Sequence, residues 1–302
     1  MSVSAVDRVV GLLERMERRE SVVCVGLDPV VESMDARCRR NDPVASLESF
    51  QAGVLEAVSA SACSAKFQSA CYERYGWQGV RALERGMGEA RERGLSVILD
   101  AKRGDIGISA AHYAAAAARA GADFVTVNGY LGPSGIEPFL EAGLGVFVLV
   151  RTSNPDSHGV QGALLASGAS VAEHVAVMVR ALGTKWLSER AISAVGAVVG
   201  ATQAREAAAL RRAMPEQMFL VPGIGAQGGG VEDLKTMTRP DAATGGGRTS
   251  LSDLGVLLTA SRSVIYAKAA PGATESGAWA APVGSAAEAL RSQACAVLSP
   301  AR

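Results

Sequence analysis

The sequence predicts a single (β/α)8 barrel, because eight short apolar runs alternate along the chain with segments of helix-forming residues. The chain has 302 residues, of which 48% are hydrophobic, and this is enough for one large core. No linker or shift of composition divides the chain, so one domain over residues 1–302 is favoured over two. An open, doubly wound sheet is the alternative arrangement of the same elements.

The predicted strands are near-continuous apolar runs rather than alternating ones, which is typical of parallel strands covered by helices. They are Val22–Leu27, Ala62–Phe67, Leu95–Asp100, Phe124–Asn128, Gly145–Val150, Val195–Gly200, Met218–Pro222 and Val264–Ala267. The helical patterns comprise an amphipathic N-terminal segment, several segments between strands and a final helix. They are Met1–Glu20, Ser46–Val58, Gly79–Arg93, Ser109–Ala120, Ser170–Leu182, Ala204–Met214 and Ser285–Leu298.

Charge and composition argue against several kinds of partner and location. The chain has 30 Lys and Arg residues and 30 Asp and Glu residues, and a net charge of zero argues against nucleic acid as the main partner. The N-terminal segment lacks the apolar core of a signal peptide, and no run approaches the roughly 18 apolar residues of a membrane span. The five cysteines are scattered without metal-binding spacing, which predicts reduced thiols in a cytoplasmic protein.

Polar residues follow most of the predicted strands, at the end where the active site of such a barrel gathers. Charged or amide groups at so many strand ends predict one convergent site. They are Asp28 after the first strand, Lys66 in the second, Asp100 and Lys102 at the third, Asn128 at the fourth, Arg151 to Asn154 after the fifth, Gln227 after the seventh and Arg262, which is expected to open the eighth.

The most informative motif is the string Asp100-Ala101-Lys102-Arg103-Gly104-Asp105, directly after the third strand. Asp100 and Lys102 are two residues apart, so an extended backbone would point them to the same side. A lysine between carboxylates keeps its proton and can deliver it to a carbanion, while a neighbouring carboxylate crowds an anionic leaving group. This combination suits decarboxylation without a cofactor. The alternative interpretation is a solvent-exposed cluster of salt bridges.

Together with motifs elsewhere, this string resembles the orotidine 5′-monophosphate decarboxylase family, and more narrowly its bacterial branch with a D-A-K-R-G-D-I motif. The matching segments occur in order over roughly Val22 to Ala267. They are Val25–Pro29, Lys66–Gln68 with Tyr72-Glu73, Asp100–Ile106, Thr126–Asn128, Thr152–Pro155, Val199–Thr202, Val221–Gly228 and Ser261–Ser263. The resemblance implies conversion of orotidine 5′-monophosphate (OMP) to UMP and carbon dioxide in pyrimidine biosynthesis. It also implies a homodimer of barrels that uses neither metal nor organic cofactor.

The resemblance implies roles for the reacting residues. Lys102 would be the general acid that protonates C6 of the pyrimidine after carbon dioxide leaves. Asp100 would lie against the substrate carboxylate. Asp105 would reach into the site of the neighbouring subunit and complete an alternating charge network with Lys66.

Further residues are implied to bind the substrate. They are Asp28 and Lys66 at the ribose hydroxyls, Ser153 at the pyrimidine, Gln227 and Arg262 at the 5′-phosphate, and Ile106 and Ser109 at the border of the site from across the dimer. The glycine-rich insertion near 223–250 is interpreted as a phosphate loop and flap over the ligand. Asn128 receives no direct role, because Gly129 stands where the family usually has proline.

Other interpretations account for parts of the sequence only. The segment Gly223–Gly228 matches the G-x-G-x-x-G of dinucleotide sites, but it comes late in the chain and leads into further glycines.

Sugar-phosphate decarboxylases related to this family carry D-x-K-x-x-D and typically need a metal ion, whereas Ser153 and Gln227 favour a nucleotide substrate. A catalytically silent scaffold protein is disfavoured by the intact acidic and basic cluster. The three histidines are dispersed and predict no metal site.

Overall fold

Eight parallel strands close into a barrel in chain order, β1 to β8, in the computed structural model, and the predicted (β/α)8 fold is confirmed. The structure describes residues 3–201, 204–223, 230–239, 250–268 and 279–298. The strands are β1 Val23–Leu27, β2 Ser64–Gln68, β3 Ser96–Arg103, β4 Phe124–Asn128, β5 Gly145–Arg151, β6 Ser193–Val199, β7 Gln217–Val221 and β8 Val256–Ala260. Every residue of β1, β6, β7 and β8 is buried, because helices cover the outside of the barrel and side chains fill its interior.

The helices lie outside the sheet, and the predicted helical segments are confirmed to within a few residues at their ends. They are α1 Ala5–Arg19, α2 Pro43–Val58, α3 Ser69–Glu73, α4 Gly76–Glu92, α5 Gly107–Arg119, α6 Glu137–Glu141, α7 Ser157–Gln161, α8 Val171–Gly183, α9 Ala204–Ala213, α10 Leu234–Met237, α11 Arg262–Ile265 and α12 Ala281–Leu298. Within the described ranges, none of these helices combines the length and the hydropathy that crossing a membrane requires.

The N-terminal helix α1 covers the amino-terminal end of the barrel. Ser4 begins it with a capping box to Asp7, in which each side chain bonds the backbone of the other residue. The apolar face of α1 is buried, and burial of a residue such as Leu12 stabilises the fold by about 2 kcal/mol. Arg8 bonds Asp123 before β4 at 2.7 Å, and Arg19 donates to backbone carbonyls before β2 and β3. Because α1 covers the amino-terminal end of the barrel, a ligand would enter at the carboxyl-terminal ends of the strands.

The position predicted for the eighth strand is wrong. The strand β8 is Val256–Ala260, and the segment predicted as a strand instead contributes to α11, which starts at Arg262. Val264 and Ile265 are apolar because α11 packs against β1 and α12, so their burial does not reflect a place in the sheet. Arg262 consequently follows β8 at the carboxyl-terminal end of the barrel instead of opening the strand.

The strand β3 extends past its predicted end at Asp100 and includes Lys102. The register between β3 and β4 shifts between Leu99 and Arg103, as in a β-bulge. Lys102 lies inside this irregularity with φ of 46°, which is in the left-handed region that non-glycine residues seldom occupy. The bulge places Lys102 at the rim of the barrel.

Candidate active site

A cavity of about 530 Å³ opens at the carboxyl-terminal ends of the strands. This volume is in the range of small-molecule sites, and the location is where barrel enzymes hold their substrates. Most of the predicted site residues that the structure describes line it. These are Asp28, Lys66, Asp100, Lys102, Ser153 and Arg262.

Four charged side chains form a row of alternating sign along one wall of the cavity. Lys66 Nζ lies 3.3 Å from Asp28 Oδ1 and 2.9 Å from Asp100 Oδ2. Lys102 Nζ lies 2.6 Å from Asp100 Oδ1. The order Asp28, Lys66, Asp100, Lys102 therefore runs from β1 across β2 to β3, and we call it the charge row.

Burial differs along the charge row. Lys66 and Asp100 are buried, whereas the side chain of Lys102 is 45% exposed and reaches the cavity. Burying two charges costs desolvation free energy, and the attraction between them offsets this cost only when both groups are fully hydrogen-bonded. The charge row therefore differs from an incidental salt bridge on the protein surface. The alternative interpretation, a solvent-exposed cluster of salt bridges, is wrong for Asp100 and Lys66, because both side chains are buried.

Electrostatics hold both buried groups of the row in their charged forms. Burial opposes ionisation of Asp100, but attraction to Lys66 and then to Lys102 outweighs it and lowers the pKa of Asp100 to about 2. Burial likewise opposes the charge of Lys66, yet Asp100 and Asp28 raise the pKa of its ammonium above the usual range. The cavity therefore presents a fixed anion at Asp100 next to the Lys102 amine.

Two further residues contact the charge row, and sequence reasoning assigned them no role. The hydroxyl of Thr126, on β4, donates to Asp100 Oδ1 at 2.8 Å. The Gln68 amide, oriented by its hydrogen bonds, donates to the Asp100 carbonyl at 2.7 Å and accepts from Lys102 Nζ at 3.2 Å. Both residues line the cavity. They stood within the motifs of the resemblance, but only the register of β2 and β4 against β3 shows what they touch.

The loop after β5 brings Ser153 to the cavity and is held by the buried Arg151. The Arg151 guanidinium bonds Glu206 of α9 at 2.6 Å and the Ser157 hydroxyl at 2.5 Å. Gln161 accepts from the Thr152 backbone N–H at 2.8 Å and donates to the Thr152 hydroxyl at 2.9 Å. Hydrogen bonds therefore join the residues before Ser153, Arg151 and Thr152, to Ser157 and Gln161 after it.

Gly200 allows this loop to pack against the end of β6. A Cβ on Gly200 would lie 3.1–3.2 Å from the Cβ, Cα and N atoms of Ser153. The Gly200 N–H also donates to the Arg151 carbonyl at 2.8 Å. Any larger residue at this position would push Ser153 away from β6.

Among the described residues, some predicted site residues do not line the cavity of their own chain. Asp105, Ile106 and Ser109 lie beyond β3 at the start of α5, and the Asp105 carboxylate accepts from the Ile106 backbone N–H. Asn128 is exposed and accepts from the Tyr130 backbone N–H, so its polar group closes a local turn. Gln227 lies outside the described residues, as does most of the glycine-rich segment 223–250.

The histidines and the cysteines contribute little to the described site. His112, His158 and His174 are exposed. In the ranges that the structure covers, no three His, Cys, Asp or Glu side chains are grouped as metal ligands would be. Cys24 and Cys63 are buried in the barrel, and burial raises the pKa of the Cys24 thiol to about 11.

The fold and the charge row define a (β/α)8-barrel enzyme with a lysine poised beside a buried carboxylate at the strand ends. A family model described as orotidine 5′-phosphate decarboxylase / HUMPS family matches residues 21–271. The match covers most of the chain, and the chain belongs to this family.

Individual relatives agree with the family match. The chain is 39% identical over 263 residues to an orotidine 5′-phosphate decarboxylase of Deinococcus radiodurans, an alignment of 84% of this chain and 88% of the relative. It is 41% identical over 260 residues to one of Halorubrum lacusprofundi, with 85% of this chain and 86% of the relative covered. Among solved structures, the OMP decarboxylase of Leishmania donovani superposes with a TM-score of 0.74 at 29% identity, over 96% of this chain and 98% of the other.

Proposed function

We propose that this chain decarboxylates orotidine 5′-monophosphate to UMP and carbon dioxide, a step of pyrimidine nucleotide biosynthesis, without a cofactor. The observation that carries the proposal is the charge row, which ends at the half-exposed amine of Lys102 in a cavity of about 530 Å³. Relatives with 39% and 41% identity that bear this name support it.

The reaction breaks the bond between C6 of the pyrimidine and the carboxylate carbon. The bonding electron pair stays on C6, where no adjacent carbonyl accepts it, and carbon dioxide leaves. Lys102 stabilises this developing negative charge with its own positive charge and then gives a proton to C6. Asp100 lies against the substrate carboxylate, and its depressed pKa keeps it anionic there. Lys66 holds that anion in place from the buried side.

The rest of the cavity binds the nucleotide. Asp28 and Lys66 bind the ribose hydroxyls, and Ser153 bonds the pyrimidine from the loop after β5. Arg262, at the carboxyl-terminal side of β8, binds the 5′-phosphate together with Gln227, since a guanidinium is well suited to phosphate oxygens. The phosphate lies far from C6, so its binding energy organises the site without entering the chemistry.

The working unit is a homodimer in which Asp105 completes the charge network of the neighbouring subunit. Asp105 does not line the cavity of its own chain within the described residues, although it belongs to the same motif as Asp100 and Lys102. Beside it, the apolar side chains Ile106 and Ile108 are 55% and 74% exposed. Apolar surface of this kind next to a site mouth favours coverage by a second copy. Ile106 and Ser109 would then border the partner's site.

The intact D-A-K-R-G-D-I string favours the bacterial branch of the family that carries it. A cytoplasmic location agrees with the five cysteines, each of which is a free thiol. The chain is one domain over residues 1–302, and its glycine-rich segment near 223–250 contributes to binding of the substrate phosphate.

The experiment that tests the function measures the decrease in ultraviolet absorbance after OMP is added to purified protein pretreated with EDTA. Turnover is the expected result, and it would show decarboxylation without a divalent metal. The alternative result is no turnover of OMP but activity on a sugar-phosphate acid once magnesium is supplied. That result would place the chain among the metal-dependent relatives and would require new roles for Ser153 and Gln227.

A further inference from the structure

Thr126 on β4 connects both functional residues of the D-x-K pair through one hydroxyl group. The Lys102 backbone N–H donates to Thr126 Oγ1 at 2.9 Å. The Thr126 hydroxyl in turn donates its proton to Asp100 Oδ1 at 2.8 Å, the same oxygen that receives the Lys102 ammonium. Thr126 is buried, with 1% of its surface exposed. These contacts are therefore shielded from competition by bulk water.

The direction of the two hydrogen bonds is fixed by chemistry. A backbone N–H can only donate, so Thr126 Oγ1 accepts from Lys102. An ionised carboxylate can only accept, so the single hydroxyl proton goes to Asp100, whose pKa of about 2 keeps it ionised. A residue without a hydroxyl can provide neither bond. Serine is the nearest substitute that can provide both.

The bond from Lys102 matters because the backbone there is unusual. Lys102 has φ of 46° inside the register shift between β3 and β4. Such a conformation is unfavourable for a non-glycine residue and persists only where its surroundings enforce it. The Thr126 hydroxyl holds the Lys102 N–H in this conformation. If the Lys102 backbone relaxed to the extended region, the direction of its Cα–Cβ bond would change and the ammonium group would move.

We infer, resting on the proposed function, that Thr126 is a positioning residue that sets where Lys102 delivers its proton. It acts through Lys102 and Asp100 and takes no part in the bond changes itself. A hydroxyl that merely stabilised the barrel would affect unfolding but would leave the rate of the chemical step unchanged. Displacement of the proton donor by about 1 Å is expected to lower turnover by about 10²-fold, and this loss should fall on kcat more than on KM.

The test compares Thr126→Val, which removes the hydroxyl at nearly equal size, with Thr126→Ser, which keeps it. The matched control is Ser96→Ala on β3, because the Ser96 hydroxyl is also buried in the barrel and has no hydrogen-bond partner among the residues that the structure describes. For OMP, Thr126→Val should lower kcat by about 10²-fold with KM changed by less than about threefold. Thr126→Ser should stay within about threefold of wild type, and Ser96→Ala should equal it.

An activity-independent measurement accompanies the kinetics. The chain has five lysines, so ¹³C labelling at Cε gives a simple spectrum in which the Lys102 signal is assigned by its loss in Lys102→Ala. This signal should shift in Thr126→Val and stay near its wild-type position in Thr126→Ser. If Thr126→Val fails to fold, Thr126→Ala, which also lacks the hydroxyl, takes its place.

Where the wild type decarboxylates OMP, either of two kinetic results would overturn the inference. The first is wild-type kcat in folded Thr126→Val, and the second is equal loss of kcat in the Val and Ser variants, which would show that the hydroxyl is not the cause. Failure of the proposed function looks different, since wild type itself would not decarboxylate OMP. In that case the Lys102 signal decides: a shift in Thr126→Val alone supports positioning by Thr126, and an unchanged signal overturns it.

Discussion

Asp100 Oδ1 and Lys102 Nζ lie 2.6 Å apart across a β-bulge, in which Lys102 has a left-handed backbone. An extended strand would also direct residues two apart to the same side, so the expected proximity is confirmed. The bulge nevertheless changes what the contact does. It leaves Asp100 buried within the barrel while the Lys102 ammonium reaches the rim, where a substrate can meet it.

Replacement of Lys102 by alanine should nearly abolish turnover of OMP while the protein stays folded. The variant lacks the proton donor and the positive charge beside C6, and general acid catalysis alone contributes about 10²–10⁴-fold. The measurement is kcat by ultraviolet absorbance, with circular dichroism to verify the fold. Lys185→Ala is the matched control, because Lys185 is an exposed lysine away from the cavity. Turnover of Lys102→Ala close to wild type would remove Lys102 from its proposed role.

Mixing two inactive variants should restore activity if Asp105 serves the neighbouring subunit. In a mixed dimer of Lys102→Ala and Asp105→Ala, one of the two sites has both residues intact. Equal mixing with full subunit exchange should give about a quarter of the wild-type activity. Activity is measured before and after exchange, and exchange itself is verified with a tag on one variant. Complete exchange without recovered activity would contradict a shared site.

Acid should destabilise the wild type through Asp100 in a defined pH window. Its pKa in the folded protein is about 2, below the usual 3.8, so the stability it contributes is present above about pH 4 and is lost as the pH falls through 2. The difference corresponds to about 2 kcal/mol of unfolding free energy. The contribution of Lys66 to stability has the opposite pH dependence. Its pKa is raised in the folded protein, so the stability that it contributes is lost only in strong alkali.

Urea unfolding from pH 5 to pH 2 measures this effect, with Asp100→Asn as the test variant and the exposed Asp156→Asn as control. The unfolding free energies of wild type and Asp100→Asn should converge as the pH falls. The Asp156→Asn variant should follow the wild type throughout. Parallel curves for wild type and Asp100→Asn would show that the buried carboxylate does not titrate as its surroundings indicate.

Replacement of Arg151 by methionine should impair substrate binding more than the chemical step. The change removes the bonds to Glu206 and Ser157, which hold the loop that presents Ser153. Loss of bonds to a charged group should lower kcat/KM by about 10- to 100-fold, mainly through KM. Arg180→Met is the control, since the pair of Arg180 with Glu216 spans 3.5 Å on an exposed surface. An unchanged KM in folded Arg151→Met would show that Ser153 needs no such support.

Local sequence patterns are enough to predict the barrel and most of the charge row. Near-continuous apolar runs reflect burial on both faces of a strand, and this burial identified seven of the strands. Polar residues placed directly after those runs must meet at one end of a parallel barrel, so the order of residues along the chain suffices to group Asp28, Lys66 and Asp100. The segment at Val264 was assigned wrongly because an apolar run records burial alone, and a buried helix has the same composition.

The atomic contacts of the site depend on how distant segments are placed in the folded chain. The contacts of Thr126 and Gln68 with the Asp100–Lys102 pair cross between neighbouring strands, and their register depends on a bulge that no local spacing encodes. The pairing of Arg151 with Glu206 joins residues 55 positions apart. Burial patterns depend on each residue's own hydrophobicity, whereas hydrogen bonds depend on the relative placement of distant segments within tenths of an ångström. For this reason the sequence locates the site, and the folded chain sets its geometry.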